Sequence, residues 1–288
     1  METESLKAFV AVAEENSFSE AAEVLHLTQP AVSKRIAALE NLLDAKLFDR
    51  IGRQVSLTEA GRALLPRARQ ILREVGDARR AIDDLSGDVS GRLSLVTSHH
   101  VGLHRLPPVL RQFTSQYKNV SLDIDFLDSE QAYEAVLHGQ FDLAVVTLSP
   151  QPHEKLHSES LWGDPLYCVV GYGHELASRK KITLADLSEH PAILPKRNTY
   201  TTALVSQLFD QQSLPLTISL NTNYLETIKM MVSIGLGWSW LPETLLDDQL
   251  QTVSVEGVTI SRHLGVIYHK ERTLSNAAKA FMTCVKEN

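Results

Sequence analysis

Three polar stretches in the C-terminal two thirds of the chain hold side chains suited to binding a small molecule. Each stretch directly follows a short apolar run, and Thr147 ends a fourth such run. The candidate binding residues are Thr97, Ser98, His99, His100, Thr147, Thr199, Tyr200, Thr201, Thr202 and Asn223. If the runs are strands, these groups meet at the carboxyl ends of a sheet beside helix N-termini, where anions bind. The pattern favours a small anion, most simply a carboxylate, although hydroxyls at strand ends also serve as plain helix caps.

Histidines in the first polar stretch allow three interpretations. His100 and His104 stand four residues apart, as a metal-binding pair on a helix would. No cysteine or acidic residue nearby in sequence completes a tetrahedral set, so we expect no metal site. Alternatively, His99 or His100 meets an anionic ligand and becomes charged near neutral pH, or the histidines are simply polar residues at a helix start.

A second candidate surface lies near the N-terminus, within residues 17–43. The spacing predicts a short helix from about Ser19 to Leu25 and a second helix that begins at Thr28, a good N-cap residue. At 100° per residue, the apolar side chains of the second helix share one face: Val32, Ile36, Leu39 and Leu43. The other side carries amide, hydroxyl and cationic groups that can read base edges and phosphates, and its candidate residues are Thr28, Gln29, Pro30, Ser33 and Lys34.

Two short strand patterns follow this helix pair and predict a β-hairpin, or wing. Arg50 and Arg53 stand near its glycine-containing tip, where a cation suits phosphate or minor-groove contacts. Charge is an objection to this interpretation, because residues 1–58 hold six cations against nine anions and the whole chain has a net charge of −7. The distribution of these charges answers part of the objection, since most of the acids precede the second helix while most of the cations lie in and after it.

The next segment predicts a long helix that pairs with a second copy. Apolar residues alternate at spacings of four and three, a period of 3.5 that is typical of a coiled-coil seam. The predicted dimerisation residues are Leu64, Ala68, Ile71, Val75, Ala78, Ile82 and Leu85. We place a DNA-binding domain at residues 1–58, the dimerisation helix at 59–86 and a small polar hinge at 87–91.

Composition excludes several classes of protein. A length of 288 residues predicts about two domains, and 43% hydrophobic residues are ordinary for a globular chain. The sequence has neither an apolar run of membrane-spanning length nor the features of a secretory signal, so we expect a cytoplasmic protein with no membrane partner. Two cysteines, Cys168 and Cys284, are far apart, and Cys168 is expected to be a small buried residue.

From Arg92 onwards, strand patterns alternate with helical ones, which predicts α/β units with parallel sheet. Two sets of such units and a late strand near residues 264–269 fit two lobes joined by crossover connections. We assign residues 92–161 and 267–288 to the first lobe and residues 162–266 to the second.

In this order, the segments resemble the LysR-type transcriptional regulators over essentially the whole chain. The runs TQPAVSKRIAALE and KLFDR carry the resemblance most specifically, followed by SGRLSLVT, FDLAVV and MVSIGLGWSWLP. The resemblance implies a winged helix-turn-helix, a dimerising linker helix and a two-lobed α/β effector domain similar to periplasmic binding proteins. It also implies a homodimer that pairs into a homotetramer, a dimer of dimers. Its implied partners are double-stranded promoter DNA, a small-molecule effector and RNA polymerase. It transfers the DNA contacts to the helix and wing residues given above and places the effector between the lobes.

Two other function classes fit less well. A binding protein of the periplasmic type without a DNA role would account for the two lobes, but not for the 91 residues before them. An enzyme is disfavoured because the sequence has no nucleophile elbow and no P-loop. No cofactor is expected apart from the effector, whose identity the sequence does not specify.

Overall fold

The computed structural model describes residues 2–51, 54–83 and 87–288. Arg53 at the wing tip and Leu85 at the end of the predicted seam lie outside the described residues, as does the side chain of Arg50. The chain divides into two compact units near residue 87, and each unit is described by itself.

The N-terminal unit contains four helices and one hairpin: α1 (Thr3–Glu15), α2 (Phe18–Val24), α3 (Gln29–Leu43), β1 (Phe48–Ile51), β2 (Gln54–Leu57) and α4 (Glu59–Asp83). Strands β1 and β2 pair in antiparallel fashion, so the predicted wing is present. Ser17 begins α2, because its hydroxyl accepts a hydrogen bond of 3.3 Å from the Glu20 amide. The turn between α2 and α3 uses a left-handed residue, His26, at φ 54°.

Aromatic packing forms the core of this unit. The Phe48 ring, at the start of the wing, lies 5.4 Å from the Phe9 ring and 5.7 Å from the Phe18 ring. Helix α3 adds the three apolar side chains predicted to face inward, Val32, Ile36 and Leu39. Leu43 was predicted on the same face and this was wrong, since it is 40% exposed. The helix ends there and the chain turns away at Asp44 in a left-handed conformation, beyond the reach of the core.

Polar contacts fix the wing relative to the helices on both of its sides. The Glu40 carboxylate at the end of α3 accepts hydrogen bonds from the amides of Leu47 and Phe48, at 2.8 and 3.4 Å. The Thr58 hydroxyl donates to the carbonyl of Lys46 and accepts from the amide of Gly61, so it caps α4. The hairpin is therefore attached to both α3 and α4.

The two halves of helix α4 differ in burial, and this corrects part of the predicted dimer seam. Ala68 is fully buried in the core of its own unit and Leu64 packs against the same core, because the first turns of α4 lie on α1. Ala68 therefore stabilises the monomer and is unavailable to a dimer seam, whereas Leu64 is only partly buried and stays a predicted seam residue. Farther along, Ile71, Val75 and Ile82 are 37%, 50% and 69% exposed, and Ala78 is exposed as well.

The C-terminal unit alternates strands and helices. Its elements are β3 (Gly91–Thr97), α5 (His99–His104), α6 (Leu106–Gln116), β4 (Val120–Phe126), α7 (Ser129–Leu137), β5 (Leu143–Thr147), β6 (Leu156–Gly171), β7 (Lys181–Ile182), α8 (Leu184–Ser188), β8 (Ala192–Leu194), α9 (Tyr200–Gln211), β9 (Ile218–Asn221), α10 (Leu225–Ser233), β10 (Ser239–Pro242), β11 (Leu250–Thr252), β12 (Ser254–Val255), β13 (Ile260–His269) and α11 (Asn276–Glu287). All the strands predicted from the sequence pattern are present.

The main sheet has the strand order β10–β6–β13–β5–β3–β4, with β11 also paired to β6. Strands β4, β3 and β5 are parallel, as expected for α/β units. Strands β13, β6 and β10 run antiparallel to their neighbours, so within the main sheet the prediction of parallel strands holds only for β4, β3 and β5. Strand β13 returns from the far end of the molecule, and its direction is therefore opposite to that of β5.

Two lobes are joined by the long strands β6 and β13. Lobe 1 contains β3–β5, α5–α7 and α11, and lobe 2 contains α8–α10 with the parallel pair β8–β9 and strand β10. The ladder between β6 and β13 continues from one lobe to the other, with an irregularity between Leu264 and Gly265. The lobe boundaries predicted from the sequence, near residues 161 and 266, fall within these two strands.

Each lobe has its own hydrophobic core. In lobe 1, Phe113 of α6 and Phe281 of α11 cover one face of the sheet, and Val136 of α7 covers the other. In lobe 2 the Trp238 ring stacks on Phe209, with ring centres 5.6 Å apart. The buried indole N–H is shared between two backbone carbonyls at 2.9 and 3.1 Å.

Gly265, on strand β13 where it crosses between the lobes, is predicted to tolerate no side chain. A Cβ atom on Gly265 would lie 2.1 Å from the Glu159 carbonyl oxygen on β6. We expect Gly265→Ala to lower the free energy of unfolding by about 1–3 kcal/mol, because backbone must shift to relieve the clash. Thermal unfolding of the purified chain measures the change. Gly163→Ala, on the facing strand with nothing within 4 Å, is the matched control, and equal midpoints for the two variants would contradict the assignment.

Candidate nucleic-acid interface and ligand cleft

The outer face of α3 presents polar groups without large apolar side chains. The Gln29 side-chain amide donates to the Ser33 hydroxyl at 3.1 Å, so these two candidate readers are oriented by each other. Pro30 and Lys34 are exposed beside them. Thr28 stands at the N-cap position, as predicted, but its hydroxyl makes no capping hydrogen bond. The Thr28 side chain is exposed at this end of the helix.

Acidic residues of α1 are paired with cations, which bears on the charge objection. Glu4 contacts Lys7 at 2.8 Å and Arg35 at 3.1 Å, and Glu14 contacts Arg69 at 2.9 Å. Hydrogen bonding to Lys7, with the Lys7 and Arg35 charges, lowers the pKa of Glu4. Arg35, although it belongs to α3, faces α1 through its contact with Glu4. The exposed cation of the α3 surface is therefore Lys34.

A cleft of about 360 Å³ lies between the two lobes of the C-terminal unit. Eight of the ten candidate binding residues line it: Ser98, His99, His100, Thr147, Thr199, Tyr200, Thr201 and Asn223. Phe126 and Tyr224 add aromatic wall from lobe 1 and lobe 2. The sequence prediction therefore gathered residues from both lobes that do share one cavity, while their role as effector contacts stays a prediction.

Thr97 and Thr202 were also candidates, and the structure gives their hydroxyls other partners. Thr97 is fully buried and donates to the Val145 carbonyl at 2.7 Å. Thr202 is 1% exposed and donates to the Pro195 carbonyl at 2.8 Å. Both hydroxyls hold neighbouring backbone in place, so neither lines the cleft.

Arg262, which was not among the predicted binding residues, is a buried cation of the cleft. Its Nε donates to Asp164 at 2.7 Å and its Nη1 donates to Thr201 at 2.9 Å. Asp164 is 1% exposed and also lies 3.7 Å from Arg105. A signal was present in the sequence, because Ile260, Arg262 and Leu264 alternate along a strand and share its buried face. A charged residue on such a face demands a partner.

Several buried polar atoms of the cleft have no hydrogen-bond partner among the described residues. They include Arg262 Nη2, Asn223 Nδ2 and both ring nitrogens of His100. A buried donor left unsatisfied costs about 1–3 kcal/mol, and more when it is charged. The cleft therefore favours a ligand that supplies acceptor atoms.

The N-terminus of α9 differs from expectation. It was predicted as an anion site, and the anion that occupies it is the protein's own Glu130, which accepts a hydrogen bond of 2.8 Å from the Tyr200 amide. Glu130 belongs to α7 of lobe 1 and Tyr200 belongs to lobe 2, so the contact also joins the lobes. Burial raises the pKa of the Glu130 carboxyl.

Histidine side chains form a cluster at one end of the cleft. His104 Nε2 lies 3.0 Å from Glu226 Oε1 of α10, and His99 Nδ1 lies 3.7 Å from Glu226 Oε2. Burial, with the charges of Arg262 and His104, lowers the pKa of His100 to about 3. This low pKa disfavours the charged form of His100. The hypothesis that His99 or His100 becomes charged on meeting an anionic ligand stays a prediction.

Comparison with known proteins agrees with both halves of this architecture. The LysR substrate-binding domain model matches residues 86–288, and the model of the lysR-family bacterial helix-turn-helix matches residues 3–62. The chain belongs to the LysR family of transcriptional regulators. The LysR fold class proposed from the sequence is thereby confirmed, and the family consists of DNA-binding regulators and not of enzymes.

Individual relatives of this LysR-type regulator match either nearly the whole chain or one part of it. The transcriptional activator CmpR of Synechocystis is 30% identical over 95% of this chain and 91% of its own length. An uncharacterised regulator of Azotobacter vinelandii is 71% identical over 38% of this chain and 75% of its own length. The crystal structure of full-length CbnR with its target DNA has a TM-score of 0.72 and 24% identity, covering 100% of this chain and 99% of that one.

DNA is therefore a partner of the N-terminal unit. Over the described residues, the regulator contains no helix that is both long and apolar enough to cross a bilayer.

The α3 surface leads to a prediction about salt dependence. We expect Lys34→Ala to weaken binding to all DNA sequences by a similar factor and to reduce the slope of log K against log salt by about 1, because one phosphate contact is lost. Titration of labelled promoter fragments at several salt concentrations measures both effects. Lys7→Ala, which removes an equal charge from α1, is the control, and the same slope change in both variants would refute the assignment.

The low pKa of His100 predicts a pH dependence of stability. The ordinary pKa of a histidine is 6.5, so below that pH His100 of the unfolded chain takes up a proton. In the folded chain the pKa of His100 is about 3, so the same proton is bound only near that pH. Protons then favour unfolding, so this residue lowers stability as pH falls from 6.5, and has no such effect above it. We expect His100→Asn to lose less thermal stability than the wild type between pH 8 and pH 5. His153→Asn, at an exposed position, should follow the wild type.

Proposed function

We propose that this regulator responds to a small carboxylate that binds in the interlobe cleft. Binding would change the closure of the two lobes, the packing of the subunits and thereby the contacts with promoter DNA. Effector identity, target genes and the sign of regulation are open in this proposal.

Arg262 carries the proposal. Its guanidinium uses two groups on Asp164 and Thr201, and the third, Nη2, is a buried charged donor without a partner among the described residues. A carboxylate oxygen would satisfy it through a charge-assisted hydrogen bond. Asn223 Nδ2 is a second unpartnered donor in the same cleft, while the carbonyl oxygen of that side chain is occupied by the Lys196 amide at 2.9 Å.

Lobe 1 supplies a serine hydroxyl at the start of α5. Ser98 stands at the N-cap position of α5, yet its side chain makes no capping hydrogen bond. It lines the cleft opposite the lobe 2 residues Thr201 and Asn223. A ligand that contacts both sets of residues would bind the closed arrangement of lobes more tightly than an open one, and it can shift the equilibrium only by that difference in affinity.

Assembly would connect the cleft to DNA. The exposed apolar side chains of α4, Ile71, Val75 and Ile82, suit contact with the same helix of a second copy, as a dimer of dimers requires. Two α3 helices would then face DNA together. In each copy Gln29 and Ser33 would read base edges, with Thr28, Pro30 and Lys34 beside them, and Arg50 and Arg53 of the wing would contact the backbone or minor groove. RNA polymerase would be a further partner at the promoter.

A substitution in the cleft separates the ligand response from DNA binding. We expect Ser98→Leu to abolish the thermal stabilisation given by the active carboxylate in a panel of small mono- and dicarboxylates, because a bulky apolar group fills the site and removes a donor. Basal affinity for promoter DNA should be unchanged. Thermal shift and DNase footprinting measure the two readouts.

The control variant is Ser115→Leu, at an exposed position on α6. It should keep the full ligand response. Equal loss of ligand response and basal DNA binding in Ser98→Leu would contradict a dedicated ligand role, as would a panel of carboxylates that stabilises neither protein.

A further inference from the structure

The end of the cleft brings together three side chains with the chemistry of a metal site. His100 and His104 stand one turn apart on α5, and Glu226 is the second residue of α10. One ligand atom from each lies within 4.8 Å of the other two. Glu226 is 122 positions from His104, so residues nearby in sequence gave no sign of a third ligand.

We propose that His100, His104 and Glu226 bind a divalent transition-metal ion of the zinc class and that the ion ties lobe 1 to lobe 2. Two imidazoles and one carboxylate are a known three-ligand set for Zn²⁺, with the fourth position left to water or another ligand. Hard cations such as Mg²⁺ and Ca²⁺ prefer oxygen ligands and would bind poorly here.

The hydrogen-bonding state of these residues supports a ligand at this point. His100 is 6% exposed and both of its ring nitrogens lack a partner among the described residues. Glu226 Oε2 is a buried acceptor without a hydrogen-bond partner there, while Oε1 meets His104 at 3.0 Å. Buried polar atoms are normally satisfied, so a neutral imidazole with two free nitrogens needs a further group nearby.

Geometry requires only a small closure of the cluster. A Zn–N or Zn–O distance of about 2.0 Å places tetrahedral ligand atoms about 3.3 Å apart. The His104–Glu226 pair is already within that distance, at 3.0 Å, and the rings of His100 and His104 have centres 4.9 Å apart. The side chains of His104 and Glu226 are only partly buried, so they are free to rotate towards His100, the third ligand.

Charge around the cluster is balanced before the metal binds. Arg262 and Arg105 are the nearby cations, and Asp164 pairs with both at 2.7 and 3.7 Å. Glu226 would give the metal its charged ligand, and the remaining positive charge would favour an anion in the adjoining cleft. The metal proposal does not depend on that anion, because all three ligands belong to the chain.

The test uses the full-length chain after removal of metal by a chelator. Calorimetric titration with Zn²⁺ should show one site per chain, while Mg²⁺ should show none. His104→Gln and Glu226→Gln should each weaken Zn²⁺ affinity by more than about tenfold. Glu226→His should retain binding, because an imidazole of similar reach replaces the carboxylate as ligand although the ion pair with His104 is lost.

Controls separate this site from adventitious binding to surface histidines. His190 forms another histidine–glutamate pair, at 2.8 Å from Glu175, so His190→Gln is the matched control and should leave the affinity unchanged. Co²⁺ bound to the wild-type chain should show the intense visible absorption of a four-coordinate site, and His104→Gln should not. Zn²⁺ binding that is absent, or that is equal in wild type, His104→Gln and Glu226→Gln, would overturn the proposal.

Discussion

The buried ion pair between Arg262 and Asp164 is the interaction on which the effector domain depends. Each partner stands on one of the two strands that cross between the lobes, so the pair fixes these strands relative to each other beside the cleft. Two charges taken out of water require mutual contact and further hydrogen bonds. Thr201 and Arg105 provide part of that support, and the guanidinium still has one donor to offer a ligand.

Much of the fold could be predicted because periodic patterns record burial directly. The apolar face of α3, the wing and the strands of both lobes follow from residue spacing alone. The expectation that ligands bind at the carboxyl ends of strands correctly placed Ser98, Thr201 and Asn223 in one cavity. Errors occurred where a pattern has two meanings. Ala68 fits a heptad seam equally well whether it faces a second copy or its own α1, and Leu43 continues a helical stripe past the point where the core ends.

Other features depended on contacts that local sequence does not contain. Glu130 fills the N-terminus of α9 from another lobe, and Glu226 reaches the histidines of α5 from a distant helix. Thr97 and Thr202 have the residue type expected of a ligand contact, but the backbone carbonyls within reach of their hydroxyls are known only once the strands are in place. Arg262 is the instructive case, since its alternation with Ile260 and Leu264 marked it as a buried charge without revealing its partner.

The double connection between the lobes has a mechanical consequence. A single linker would let one lobe swivel about it, whereas two hydrogen-bonded strands side by side limit such rotation and bend most easily out of the plane of their ladder. The irregularity at Gly265 lies where such bending would concentrate. The domain then has essentially one soft coordinate, the opening angle. A ligand that bridges the lobes, as proposed above, would then act through that angle alone, whatever its own chemistry.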